Sequence, residues 1–233
     1  MEDYPNLPLL PPAEALRVIS ASPLSTAQKL LASSLVTQSR SFIANNLLIL
    51  DVTHFLNHKI NTKLIASIGQ ELAESVSLFT PTLILTAPSS GNIPAITTAF
   101  HLPYLPDVVY APKGQPITMT DVYQAKSRSY THGKPVDLTV AKDCLPQGAR
   151  VAICDDFLDT GRTALDLVNI VSQAQASTVA FFFVIEKPFG GRALIRSSGF
   201  GDEQIISLIK IESMRPGKLK LAGFDYWFSL IRQ

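Results

Sequence analysis

The stretch VAICDDFLDTGRTALDL, residues 151–167, joins an apolar run to two adjacent acids, a third acid three positions on, and a Thr-Gly pair that opens onto helical spacing. Val151 to Cys154 read as a buried strand. A strand ending at Cys154 delivers Asp155 and Asp156 to the carboxyl edge of a sheet, where open α/β sheets bind their ligands. Thr160, Gly161, Arg162 and Thr163 then turn toward a helix whose first amides have no intrahelical acceptor, so N–H groups and hydroxyls can surround a phosphate. Gly161 lets the backbone approach closely. The acids suit another part of a ligand, either the hydroxyls of a sugar or a hydrated divalent cation. Capping and tight geometry explain a single Asp or Thr in such a turn. They do not ask for two acids at a sheet edge. Sugar, phosphate and metal together point to a phosphoribosyl group.

The flanking sequence supplies the sheet. ARVAICDD (149–156) and STVAFFFVIEK (177–187) bracket TALDLVNIVSQAQA (163–176), in which Ala164, Leu167, Val168 and Val171 recur on one helical face. Upstream, PTLILTA (81–87) leads into PSSGNIPAITTAF (88–100) and then DVVYAPK (107–113). In INTKLIASIGQELAESV (60–76), Leu64, Ile65, Ile68, Leu72 and Val76 form a stripe that should pack on that sheet. Near-continuous apolar strands alternating with helices predict an α/β fold, a mostly parallel doubly wound sheet covered on both faces. Residues 1–12 are proline-rich and expected to be irregular. AEALRVI (13–19) and STAQKLLASSLVTQSRSFIANN (25–46) have helical spacing, with Ser25 and Thr26 as candidate caps for the second. The polar segment 113–142 is long for a connection, which points to a flap or hairpin. Near the end, Trp227 and Phe228 should pack a final strand or an oligomer surface.

Composition narrows the functional classes. Twenty basic against nineteen acidic residues leave no global field that would draw the chain to nucleic acid or an anionic membrane, so phosphate binding must come from a local site. Apolar runs such as VAFFFVI (179–185) fall far below the roughly 18 residues of a membrane-spanning helix. The first residues show acids and prolines rather than a secretory signal. Cys144 and Cys154 form no CxxC pair, so neither a disulfide framework nor a zinc site is indicated, and Cys154 reads as a small buried thiol. A soluble, cytoplasmic protein is expected.

VAICDDFLDTGRTAL resembles the phosphoribosyl diphosphate (PRPP) motif of the type I phosphoribosyltransferases. THFLNHKIN, APSSGNIPA, TMTD, VIEK and SLIKIESMRPGKL fall in the order and approximate spacing of bacterial xanthine phosphoribosyltransferases. The resemblance covers roughly residues 43–221. It implies an N-terminal extension over 1–42, a transferase domain over 43–221 with a hood (43–60) and a flexible flap (113–142), and a C-terminal segment over 222–233. The implied reaction moves ribose 5-phosphate from PRPP to a purine nitrogen in purine salvage, releasing pyrophosphate with Mg²⁺ present, in a homodimer. Asp155 and Asp156 would hold the ribose hydroxyls, directly or through hydrated metal. Asp159, Thr160, Gly161, Arg162 and Thr163 would form the 5-phosphate loop. Ser89, Ser90 and Gly91 match the pyrophosphate loop, and Lys113 a basic residue directed at the same group. Leu50, Asn57 and Lys187 match purine-contacting positions.

Lys187 carries only donors, which suits the 6-oxo group of xanthine, hypoxanthine or guanine and conflicts with the 6-amino group of adenine. Asp159 departs from the xanthine enzymes, which usually carry a small residue there, and its DTG context resembles the hypoxanthine-guanine enzymes. In those, the aspartate lies beside purine N7 and is a candidate proton acceptor. Pro88 stands where the xanthine family usually has glutamate, Pro112 replaces the arginine of its ARK stretch, and Gln115 replaces a second basic residue. Fewer cations then face pyrophosphate, unless Lys126, Arg128 or Lys134 in the flap compensates. The alternatives are a PRPP- or purine-binding regulator that keeps the fold without turnover, and an adenine phosphoribosyltransferase.

Overall fold

The computed structural model describes residues 4, 6–128 and 135–231. After a two-residue strand β1 (Leu9–Leu10), helices α1 (Pro12–Ala21) and α2 (Thr26–Gln38) lead into a hairpin of β2 (Arg40–Ala44) and β3 (Leu47–Asp51). A π-helical turn (Thr53–Asn57) precedes α3 (Thr62–Val76), followed by β4 (Leu83–Thr86), α4 (Asn92–His101) and β5 (Asp107–Tyr110). A second hairpin, β6 (Val122–Arg128) and β7 (Pro135–Ala141), comes before β8 (Arg150–Leu158), α5 (Arg162–Gln173), β9 (Ser177–Glu186) and α6 (Gly191–Ser197). The chain closes with β10 (Ile205–Arg215), β11 (Lys218–Leu221) and β12 (Trp227–Ser229).

The main sheet runs β1-β12-β11-β10-β9-β8-β4-β5. Its β10-β9-β8-β4-β5 portion is parallel, and β11 and β12 add antiparallel strands on the far side. The predicted α/β class and doubly wound layering are what is found. One face is covered by α2, α3 and α4, with Leu31, Leu35, Ile68 and Leu72 packed on Ala152, Cys154 and Phe182. The other face carries α5 and the β6–β7 hairpin, with Leu167, Ile170 and Val140 on Val151, Ile153 and Phe181. All five residues of the stripe expected on α3 are buried. The N-terminal helices belong to the same core, since Ala15 and Ile19 are fully enclosed within it.

Three local expectations are corrected. The helix starting near Ser25 stops at Gln38 rather than running to residue 46. Ser25 caps it in a capping box with Gln28, but Asn45 and Asn46 take positive φ and fold 40–51 into a two-residue hairpin instead. The N-terminal segment is not wholly irregular, because Leu9 and Leu10 pair in parallel with Trp227 and Phe228. Trp227 donates its indole N–H to the Tyr4 carbonyl at 3.0 Å, so Trp227 and Phe228 are buried in a final strand. Most important for function, β8 does not end at Cys154. Cys154 is its last partner on β4, opposite Thr86, while pairing with β9 continues through Asp155↔Phe183 to Leu158↔Glu186. The two acids therefore lie within a strand, but beyond the end of its β4 neighbour.

Candidate active site

The one-sided extension of β8 positions the acids. With β4 ended, the turn 88–91 wraps into α4, and Gly91 approaches so near that a Cβ there would lie 2.8 Å from Asp155 Oδ1 and collide with Thr86. Gly91 is thus required by close approach, not by its φ of −62°. The backbone amide of Asp156 donates to Asp155 Oδ1 at 2.9 Å. Burial, then the adjacent Asp156 carboxylate, push the Asp155 carboxyl well above the usual carboxylate range, while the charge of Lys113 pulls the other way. Asp156 is 5% exposed, and its Oδ2 is buried with no hydrogen-bond partner. A buried, under-satisfied carboxylate beside a partly buried one calls for donors or a cation from outside the chain.

At the end of β8 the chain turns through Asp159, Thr160 and Gly161. Gly161 sits at φ +79°, and a Cβ there would meet the Gly191 carbonyl at 2.8 Å, so both backbone conformation and space require glycine. The amide of Gly191 donates to the Asp159 carbonyl at 3.1 Å, fixing the loop from behind. Helix α5 begins at Arg162, so its unpaired first amides and positive dipole end face the loop. A cleft with about 190 Å³ of water-accessible space opens here, lined by Asp155, Phe157, residues 159–163 and Lys187 among others.

Lys187 does not end its strand in solvent. Its side chain is 11% exposed, lies 4.1 Å over the Phe157 ring, and reaches Asp159 Oδ2 at 3.2 Å. Asp159 remains half exposed, so the pair is weak enough to reorganise around a ligand. A donor-only cation lying on an aromatic face thus stands beside an acceptor-only carboxylate, next to a phosphate-sized loop.

Apart from Asp156, which is buried beside Asp155 and does not line the cleft, the predicted site residues divide into three groups. Asp155, Asp159, Thr160, Gly161, Arg162, Thr163 and Lys187 line one cleft. Gly91 abuts Asp155, and Ser89 and Ser90 lie in the same turn, where their carbonyls accept from Asn92 and Ile93. Lys113 is exposed and forms an isolated antiparallel bridge to Leu138 of β7. Leu50 and Asn57 do not line the cleft. Leu50 is 5% exposed and packs into the core from β3, and Asn57 ends the π-helical turn with a buried, unpartnered Oδ1. Among the residues proposed to compensate for missing cations, Lys126 is exposed on β6, the Arg128 side chain is not described, and Lys134 lies outside the described residues. Gln115 is occupied within the hairpin, donating to the Met119 carbonyl at 2.6 Å and accepting from Gln124 at 3.2 Å.

No protein-family profile matches the chain. Individual proteins do. A xanthine phosphoribosyltransferase of Chloroflexus aurantiacus is 42% identical over 179 residues, 76% of this chain and 82% of that protein. One of Geobacillus thermodenitrificans is 40% identical over 175 residues, 74% and 87% of the two chains. The chain belongs to the xanthine phosphoribosyltransferase family. Solved adenine phosphoribosyltransferases share the type I fold: that of Thermoanaerobacter pseudethanolicus superposes with a TM-score of 0.61 at 22% identity, covering 78% of this chain and 99% of that one. The Giardia lamblia enzyme, complexed with 9-deazaadenine, gives 0.64 at 16% identity, covering 77% and 97%. Within this phosphoribosyltransferase fold, sequence reading missed the brace behind the phosphate loop and the aromatic floor under Lys187. The signals were there: Phe157 follows the acids directly, and VIEKPFGGR places a double glycine and an arginine just after Lys187.

Proposed function

We propose that this phosphoribosyltransferase transfers ribose 5-phosphate from PRPP to a 6-oxopurine in purine salvage, with xanthine the first choice and hypoxanthine or guanine next. The observation that carries the choice of base is Lys187, held on Phe157 and paired with Asp159. A 6-oxopurine offers a carbonyl acceptor to Lys187 and a ring N–H to Asp159. Adenine would present an amino donor to Lys187.

In the reaction, the bond from C1 of the ribose to pyrophosphate breaks, a purine nitrogen bonds to C1, and the proton of that nitrogen leaves. Charge develops on the ring oxygen and C1, as in glycoside hydrolysis, so catalysis rests on positioning and electrostatics. Thr160, Gly161, Arg162 and Thr163 hold the 5-phosphate, and Asp155 and Asp156 the ribose hydroxyls. Ser89, Ser90, Gly91 and Lys113 take the pyrophosphate. Asp159 accepts the departing proton, directly or by relay. Leu50 and Asn57 lie outside the cleft and are assigned no purine contact.

The donor set fits Mg²⁺: burial and mutual repulsion at Asp155 and the orphaned Oδ2 of Asp156 are both relieved by a divalent cation. Among the described residues no three His, Cys, Asp or Glu gather around a metal, so water and PRPP oxygens would complete its coordination. When bound, the ion would neutralise charge on the leaving pyrophosphate.

Among the described residues no helix is long and apolar enough to cross a membrane, and a cytoplasmic location is part of the proposal. So is a homodimer, for which Ile96 and Phe100 leave an apolar face on α4 at 45% and 73% exposure. Replacing the donor tests the choice of base. Lys187→Met should raise KM for xanthine by about tenfold or more, the cost of a lost charged hydrogen bond, and leave PRPP affinity within about twofold. Equal loss of both would reject the assignment.

A further inference from the structure

Glu186 and Arg192 flank the segment that carries Lys187 and braces the phosphate loop, yet neither faces the cleft. Glu186 ends β9 and is 4% exposed. Arg192 donates from Nε to both Glu186 carboxylate oxygens at 3.0 Å and from Nη2 to Oε2 at 2.8 Å. Ser207 on β10 donates its hydroxyl to Glu186 Oε2 at 2.8 Å, and Arg192 Nη1 reaches Asp202 at 3.2 Å. The guanidinium thus ties the start of α6 to the ends of two strands and to a turn, with the planar fork geometry that holds direction as well as distance.

The tie is next to backbone that has no slack. Gly191, immediately before Arg192, holds the Asp159 carbonyl, and a Cβ at Gly191 would lie 2.5 Å from that oxygen. A Cβ at Gly161 would lie 2.8 Å from the Gly191 carbonyl. On the other side, the amide of Lys187 donates to Leu158 at 2.8 Å, directly after Glu186. One strut therefore controls both the loop 159–161 and the root of Lys187.

We propose that Arg192 and Glu186 are positioning residues, which set the phosphate loop and Lys187 in one frame so that ribose phosphate and purine are held at reacting distance. The inference rests on the reading of the cleft given above. Misplacement by about 1 Å from a residue away from the chemistry can cost about 100-fold in rate, so the effect should be large even though neither side chain touches substrate. A role in stability alone makes a different forecast, because a buried ion pair can often be exchanged for apolar residues of similar volume with little loss of stability.

The test compares Arg192→Lys, the double variant Glu186→Leu/Arg192→Met, and wild type, each well below its thermal midpoint. KM for PRPP and for xanthine should rise at least tenfold in the double variant and less in Arg192→Lys, with kcat also reduced. Amide hydrogen exchange, which needs no turnover, should quicken at 159–164 and 187–191, beyond the strut's own contacts at 192, 202 and 207. Folded variants with wild-type KM values and unchanged exchange in those segments would overturn the proposal. If the double variant does not fold, Arg192→Lys decides by the same readouts. If wild type forms no product from any base, the functional reading has failed, and exchange together with the dissociation constant of PRPP judges the strut separately.

Discussion

The two halves of the proposed site are built differently. On the ribose-phosphate and purine side, Gly161 and Gly191 pack backbone on backbone, Lys187 lies on Phe157 and pairs with Asp159, and Arg192 anchors the turn behind them. On the pyrophosphate side, Ser89 and Lys113 are exposed, prolines stand at 88 and 112, and Gln115 is tied to its own hairpin. That hairpin is itself fastened at its base, where Asp121 pairs with Lys142 at 2.7 Å and Gln173 of α5 donates to the Gln124 carbonyl at 2.6 Å. The first half is preorganised for recognition. Among the described residues the second has few fixed cations, so on the proposed reading charge neutralisation there would fall to metal and to Lys113.

The largest effect expected from this contrast is at the junction between the halves. Asp155→Asn should lower turnover by about 100-fold or more while raising the thermal midpoint of the metal-free protein by about 2–4 °C for each 1 kcal/mol gained. The sign follows from linkage. With the folded-state pKa raised, the native carboxyl binds more protons than the unfolded one between the ordinary carboxylate range and its raised value, so stability falls as pH rises through that window. Thermal melts with a chelator should show this slope in wild type and lose it in Asp155→Asn; a lower midpoint in the variant would contradict the burial argument.

Within the recognition half, Asp159→Asn should reduce kcat by about 100-fold, as expected for a lost general base, with PRPP affinity nearly intact. Calorimetric titration of PRPP beside steady-state rates separates the two, and unchanged turnover would remove Asp159 from the chemistry. On the leaving-group side, Lys113→Ala should raise KM for PRPP about tenfold, the loss of one charged contact, and Pro112→Arg should lower it. If Pro112→Arg gives no gain, the scarcity of cations is not what limits that half.

A smaller change is expected at the hairpin base. Gln173→Ala removes two hydrogen bonds to Gln124, each worth about 1 kcal/mol, and should raise KM for PRPP by about fivefold or less, with faster amide exchange along β6. Exchange unchanged in β6 would show that the glutamine contact does not hold the flap. The smallest effect is at Cys154, whose thiol is pushed well above its ordinary range by complete burial, then by Asp155 and Asp156. It should stay unmodified by iodoacetamide at pH 8 while the exposed Cys144 reacts.

Much of the better-ordered half was legible in the sequence because its signals are local. An apolar strand, paired acids, Thr-Gly and a helical stripe lie within seventeen residues and point to Asp155, Asp156 and Thr160 to Thr163; the α/β class needed the flanking strands as well, and Asp159 the family resemblance. What escaped depends on neighbours distant in the chain. That β8 continues past Cys154 follows from β4 ending at Thr86 while β9 continues to Glu186, which no property of VAICDDFL reveals. The hairpin at Asn45-Asn46 was hidden by helical spacing that persists beyond Gln38, although an Asn-Asn pair able to take positive φ was the clue. The pairing of Leu9–Leu10 with β12 spans nearly the whole chain, and the strut from Arg192 to Glu186 uses charges that sequence reading assigns to solvent.

The most direct measurement is product formation by the purified protein with PRPP, Mg²⁺ and, separately, xanthine, hypoxanthine, guanine and adenine, with Asp155→Asn as control. Nucleotide and pyrophosphate should appear together from an oxopurine, xanthine fastest, and vanish in the control. Saturable PRPP binding without product from any base would contradict the enzymatic reading and make this a binding protein on a phosphoribosyltransferase fold; product from adenine alone would contradict the role given to Lys187.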